Sequence, residues 1–191
     1  MSNALILETV NNVAVVRFNR PDIRSPLSIV VLDELHRRLD RMDNKKALIF
    51  TGCDDVFASG ADLREVAGIT PQTAPEFALL GQSLMNRIAD LSIPTVAAVN
   101  GYCFGGALDL ALACDKRFAS PNASFAHPGA NLGIMTGWGG TQRLPRLVGE
   151  ATALEMFFTA KRVSAAEAQQ IGLVDAISDS PYDRALEAVS V

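Results

Sequence analysis

Histidine and cysteine are scarce in this chain. His36 and His127 are the only histidines in 191 residues, and Cys53, Cys103 and Cys114 form no CxxC pair. No zinc-ligand spacing exists, so no metal is expected and the cysteines read as reduced thiols packed as small hydrophobes. A dominant charge is missing as well. Seventeen basic residues face 21 acidic ones, and the basic side chains are scattered, which argues against nucleic acid as a partner. Long apolar runs are also absent: the longest uncharged stretch, Leu91 to Leu108, contains Pro94, Asn100 and three glycines. It breaks into strand, turn and helix start, so no membrane span is expected. The opening MSNALILETV lacks a basic region and meets Glu8 early, so no secretion signal is expected and a cytoplasmic location is. There is no GxGxxG, Walker A or GxSxG motif to suggest dinucleotide binding, a phosphate cradle or serine hydrolysis.

What is present is ordinary for a globular protein: 49% hydrophobic and 20% charged residues. The length suits a single domain over 1–191. Short β-rich runs occur at Leu5 to Val10, Val13 to Phe18, Ala47 to Thr51, Thr95 to Val99 and Arg117 to Ala119. Between them, Leu32, Leu35, Leu39 and Met42 share one helical face within Ser28 to Met42, and Phe77, Leu80, Leu84, Ile88 and Leu91 share another within Pro75 to Leu91. Alternating strands and helices predict an α/β fold.

Two strand-to-helix junctions carry the chemistry. In ALIFTGCDDVFASGADLREV the strand Ala47 to Thr51 leads to Gly60-Ala61-Asp62 at the start of a helix. In PTVAAVNGYCFGGALDLALACD the strand Thr95 to Val99 leads to Gly105-Gly106 and a helix from about Ala107. Backbone N–H groups at a helix N-terminus lack intrahelical partners and point outward as donors to an anionic oxygen. Glycine lets a ligand approach closely. Taken singly, each junction also reads as a tight turn.

In this order and spacing the junctions resemble the crotonase superfamily, the enoyl-CoA hydratase/isomerase fold. The same resemblance extends through Phe18-Asn19-Arg20-Pro21, Arg24-Ser25-Pro26-Leu27, GWGGTQRLPRLVG and AAEAQQIGLVD, from residue 18 to about 175. It implies a spiral of repeated ββα units, with a core over about 1–175 and a shortened C-terminal helical region over 176–191. It implies trimers or hexamers acting on acyl-CoA thioesters in reactions of fatty acid metabolism, with CoA entering as part of the substrate and no separate cofactor. An oxyanion hole would be formed by the backbone N–H groups of Ala61 and Gly106. Ala61, Asp62, Leu63 and Arg64 would lie along the CoA moiety together with Gly106, and Arg24 would border its nucleotide end. For Arg64, pairing with a phosphate and a solvated role stand side by side.

Two departures from the family pattern follow. Hydratases of the family carry one glutamate three residues after the second oxyanion glycine and another twenty residues further on; here those positions hold Asp109 and Gly129. Losing a methylene retracts the carboxylate by roughly 1.5 Å, and a misplacement of about 1 Å can cost a hundredfold in rate. A two-carboxylate hydratase is therefore not what these residues describe. Asp109 sits in a helix that is apolar all round, where an unpaired carboxylate is costly. Either it satisfies helix N–H groups or a buried arginine, or it faces the acyl pocket as an acid/base with a raised pKa. The second departure is the end at Val191 within the helical pattern YDRALEAVSV, which leaves the acyl pocket to a partner subunit or open.

His127 reads as a hydrogen-bonded structural histidine or a spare proton carrier. Trp138 reads as a space filler or a contact for an aromatic acyl group. The sequence thus points to an enoyl-CoA hydratase/isomerase-like lyase or isomerase with Asp109 as acid/base. An acyl-CoA decarboxylase or hydrolase and a non-catalytic acyl-CoA-binding or assembly subunit are the alternatives.

Overall fold

The computed structural model describes residues 4–190; residues 1–3 and 191, at the two ends of the expected domain, lie outside them. The chain begins with an antiparallel pair, β1 (Leu5–Val10) and β2 (Val13–Phe18). Helix α1 (Ile29–Leu39) follows, capped by the Ser28 hydroxyl accepting from Val31 N, and buries Leu32, Leu35 and Leu39. A two-strand-plus-helix unit then recurs. Strands β3 (Ala47–Thr51) and β4 (Val56–Ala58) lead to α2 (Leu63–Val66) and α3 (Ala74–Ala89). Strands β5 (Thr95–Val99) and β6 (Tyr102–Phe104) lead to α4 (Gly106–Ala113). Strands β7 (Lys116–Ala119) and β8 (Ser124–Ala126) lead through a 3-10 turn, Pro128–Leu132, to α5 (Gly140–Val148) and α6 (Glu150–Thr159). The chain closes with β9 (Val163–Ser164), α7 (Ala165–Gln170), β10 (Ala176–Ile177) and α8 (Pro181–Ala188).

Within each unit the first strand joins one sheet and the second joins another. The six-stranded sheet runs β1-β2-β3-β5-β7-β10, parallel from β2 onward, and the four-stranded sheet runs β4-β6-β8-β9. Both β4–β6 and β6–β8 are parallel pairs, so the C-terminal ends of β4, β6 and β8 open on one edge. That edge holds the site, as expected where ligands meet the C-terminal ends of parallel strands.

Strands β3 and β5 are buried at every residue, which matches their uninterrupted apolar sequences. Helix α4 is buried at all eight residues, so it packs on every side, as its all-round apolar composition requires. Helix α8 tucks Ala185 against the outer face of the large sheet. No helix among the described residues is long and apolar enough to cross a membrane.

Candidate active site

Asn100, at the end of β5, ties the β5–β6 turn to the β3–β4 connection, and so the two junctions to each other. Its Nδ2 donates to Asp54 O (2.9 Å) and Val56 O (3.1 Å), and its Oδ1 accepts from Gly52 N (2.9 Å). The two corners then touch. Gly60 has φ +83°, and a Cβ placed on it would lie 2.5 Å from Gly106 N and 2.7 Å from Phe104 O. No L side chain fits there, so glycine at 60 lets the chain that carries Ala61 pass against the start of α4. The Gly60 carbonyl is engaged by Leu27 N at 2.7 Å, and the Asp109 amide bonds back to Gly105 O at 3.1 Å. Gly106, as the first residue of α4, contributes an N–H that has no place in the helical ladder.

Ala61, Leu63, Gly106 and Asp109 line one cavity of about 430 Å³, together with His127, Gly129, Thr136 and Trp138. Its wall is largely apolar, with Phe77, Leu132, Ile134 and Met135 around a few polar groups, the composition of a small-molecule pocket.

Asp109 is fully buried, and the Thr136 hydroxyl donates to its Oδ2. Its Oδ1 has no hydrogen-bond partner among the described residues. Burial pushes the Asp109 carboxyl up to about 7; the Thr136 hydroxyl, the Trp138 and Gly140 amides and the Arg143 charge pull the other way. The suggestion that Asp109 satisfies a buried arginine does not hold. The one buried arginine among the described residues, Arg117, is taken up by the carbonyls of Leu173 and Cys114 and by Asp175.

His127 is 3% exposed, and neither ring nitrogen has a hydrogen-bond partner among the described residues, which corrects the expectation of a hydrogen-bonded structural histidine. Its Nε2 lies 3.6 Å from Asp109 Oδ1, and its ring packs on Phe157 with centroids 5.1 Å apart. Desolvation lowers its pKa to about 4.

Trp138 fills space. Added Cβ atoms on Gly81 and Gly106 would come within 2.2 Å and 2.3 Å of its ring, which also meets Phe77 at 5.6 Å. Gly129 is more constrained than its sequence suggests, because a Cβ there would lie 2.4 Å from Ile134 O.

The remaining candidates stand apart from the cavity. The helix expected to open at Gly60-Ala61-Asp62 is a single turn that starts at Leu63, with Asp62 as its N-cap accepting from Arg64 N at 3.0 Å. The Arg64 guanidinium turns back onto the same carboxylate, at 2.6 Å, while its side chain stays 78% exposed. Arg24 rests over the Tyr102 ring, 5.0 Å from its centroid. Sequence reasoning passed over Thr136, whose signal was only its place in the turn before GWGG. No group of three or more His, Cys, Asp or Glu side chains among the described residues is arranged to hold a metal.

Comparison with known proteins agrees with this architecture. A family model described as enoyl-CoA hydratase/isomerase matches residues 8–187. The chain is 40% identical over 179 residues to the short-chain-enoyl-CoA hydratase of Clostridium acetobutylicum, covering 92% of this chain and 69% of that protein. It is 40% identical over 177 residues to the crotonyl-CoA hydratase of Syntrophomonas wolfei, covering 91% of this chain and 68% of that protein. Among solved structures, the enoyl-CoA hydratase from Bacillus anthracis superposes with a TM-score of 0.92 at 34% identity, over 98% of this chain and 75% of that one.

Proposed function

Because the chain belongs to the enoyl-CoA hydratase/isomerase family, we propose that it acts on an acyl-CoA thioester through an enolate, with the Ala61 and Gly106 amides as its oxyanion hole and Asp109 as its proton carrier. The observation that carries this reading is the close approach of the Gly60 corner to Gly106 N, with Asp109 one turn further along the same helix and in the same cavity. When a proton leaves the carbon beside a thioester, or a nucleophile adds to a conjugated enoyl group, negative charge moves onto the carbonyl oxygen. Two fixed main-chain donors then stabilise the transition state more than the ground state. A carboxyl that titrates near 7 exchanges protons with carbon without a large mismatch at neutral pH.

The CoA moiety is assigned to the Ala61–Arg64 loop with Arg24 beside its nucleotide end. An incoming phosphate would have to share or displace the Asp62 carboxylate that already holds Arg64. Assembly of several copies, as the family resemblance implies, belongs to the same proposal.

Incubation with a saturated acyl-CoA in D2O tests the reading by mass spectrometry. Deuterium should enter at the α-carbon. Asp109→Asn should abolish the exchange, and Ala61→Pro, which deletes one donor, should slow it by about a hundredfold to a thousandfold. Binding of the thioester with no exchange at any pH would make the chain an acyl-CoA binder instead.

A further inference from the structure

We infer that His127 is the second proton carrier of this site, working with Asp109 as a pair that adds water to a 2-enoyl thioester in place of the side chain missing at position 129. This rests on the thioester-enolate reading above. Three parallel strands deliver three groups to one edge: β4 ends before Ala61, β6 before Gly106, and β8 directly before His127. The imidazole is buried to 3% exposure, lines the same cavity as the two amides, and leaves both nitrogens without a hydrogen-bond partner among the described residues. Buried polar atoms in native structures are almost always satisfied, so an unsatisfied pair set 3.6 Å apart, His127 Nε2 and Asp109 Oδ1, asks for a function. Such spacings in ligand-free acid–base sites close when substrate binds. Position 129 offers no alternative, because its would-be Cβ meets the Ile134 carbonyl.

The step balances with one water and no other reactant. The water oxygen bonds to the β-carbon while His127 Nε2 takes one of its protons. The electron pair of the double bond moves through the α-carbon onto the thioester oxygen, against the Ala61 and Gly106 amides. As the enolate collapses, the protonated Asp109 delivers its proton to the α-carbon. An imidazolium now faces a carboxylate, and passage of the proton from Nε2 to Oδ1 restores both groups.

Burial sets the starting state, since it favours a protonated Asp109 and an unprotonated His127. The other titratable or charged groups around the pair are Arg143 on α5, which favours the Asp109 carboxylate, and the buried thiol of Cys103 on β6. Hydration should therefore fall as pH rises through about 7, where Asp109 loses its proton.

The test compares wild type with His127→Gln in two assays: deuterium exchange into a saturated acyl-CoA, and water addition to a short 2-enoyl-CoA. Wild type should do both, and His127→Gln should lose hydration at least a hundredfold further than it loses exchange. Equal losses in the two assays, or a wild type that exchanges but does not hydrate, overturns the pair and leaves the enolate reading standing. A wild type that does neither sinks the enolate reading itself. With only two histidines in the chain, 15N-histidine spectra, assigned with His36→Gln, read the pair directly in the intact protein. The His127 resonances should move in Asp109→Asn. Unmoved resonances would overturn the pairing even if His127→Gln fails to fold.

Discussion

The buried pair should leave a mark on stability that appears only when one partner is removed. In the unfolded chain Asp109 titrates near 3.8 and His127 near 6.5; in the native site they move to about 7 and about 4. Between pH 4 and 6.5 the unfolded pair therefore holds one proton, on the histidine, and the native pair also holds one, on the aspartate. Stability changes with pH only where the two states bind different numbers of protons, so the wild-type pair contributes almost no slope in this window. Each single substitution uncovers one slope.

Asp109→Asn leaves His127 alone. The unfolded histidine gains a proton below 6.5 while the native one resists to about 4, so stability should fall on acidification by about 1.4 kcal/mol per pH unit, about 3 kcal/mol in all. His127→Gln leaves Asp109 alone. Its raised native pKa gives a stability contribution that is complete below 3.8 and is lost as pH rises through about 7, about 4 kcal/mol in all. The same shift makes Asp109→Asn more stable than wild type at pH 7.5, with about 4 kcal/mol as the ceiling, because water entering the open cavity softens the burial of the charge. Urea unfolding of the three proteins from pH 4.5 to 7.5, plotted as each variant minus wild type, cancels every other titrating group. Opposite slopes are expected, rising with pH for Asp109→Asn and falling with pH for His127→Gln. Two flat difference plots would refute the assignment of a protonated acid beside a neutral imidazole.

Two further outcomes follow from the glycines. Restoring the carboxylate that hydratases of the family carry, by Gly129→Glu, should not raise hydration above wild type and should cost about 1–3 kcal/mol in urea unfolding, since the new Cβ must displace the Ile134 carbonyl 2.4 Å away. Gly81→Ala sets a helix-propensity gain of about 1 kcal/mol against an overpacking cost of about 1–3 kcal/mol. With the Trp138 ring 2.2 Å from the added methyl, the cost should win. Combining it with Trp138→Leu should show a favourable coupling above about 0.5 kcal/mol in a double-mutant cycle.

Much of the large sheet was legible because its strands are long enough to carry a pattern. Leu5–Val10, Val13–Phe18, Ala47–Thr51 and Thr95–Val99 occur as read, α1 lies within the stretch its apolar spacing marked, and α3 matches its own but starts one residue earlier, at Ala74. The small sheet was not legible. Its strands β4, β6 and β8 have three residues each, too few to show alternation, and their pairing joins residues 22 to 46 positions apart, such as Ser124 with Tyr102 and Tyr102 with Val56. His127 itself was legible as a spare proton carrier or a structural histidine, but without β8 its place at the cavity edge was not. The signal that places it there is a repeated phrase, a short apolar strand followed by a corner: Val56-Phe57-Ala58 before Ser59-Gly60, Tyr102-Cys103-Phe104 before Gly105-Gly106, and Ser124-Phe125-Ala126 before His127-Pro128. Read as a repeat, the third phrase sets a histidine beside the two glycine corners.

The charge of Asp109 was legible, but its surroundings were not, because they come from a part of the chain whose apolar spacing marks no helix or strand. Helix α5 begins at Gly140, and a Cβ on that residue would lie 2.1 Å from Asp109 Oδ1 and 3.1 Å from the His127 ring. A helix N-terminus favours a negative charge, so α5 lowers the energy of the carboxylate that desolvation raises. The glycine at its first turn keeps the approach open to both side chains. These opposed effects place the carboxyl near neutrality, neither pinned as an anion nor locked as an acid. That balance could not be drawn from α4 alone: it requires the 27-residue return from Asp109 to Thr136, which supplies the hydroxyl, the tryptophan wall and the helix start together.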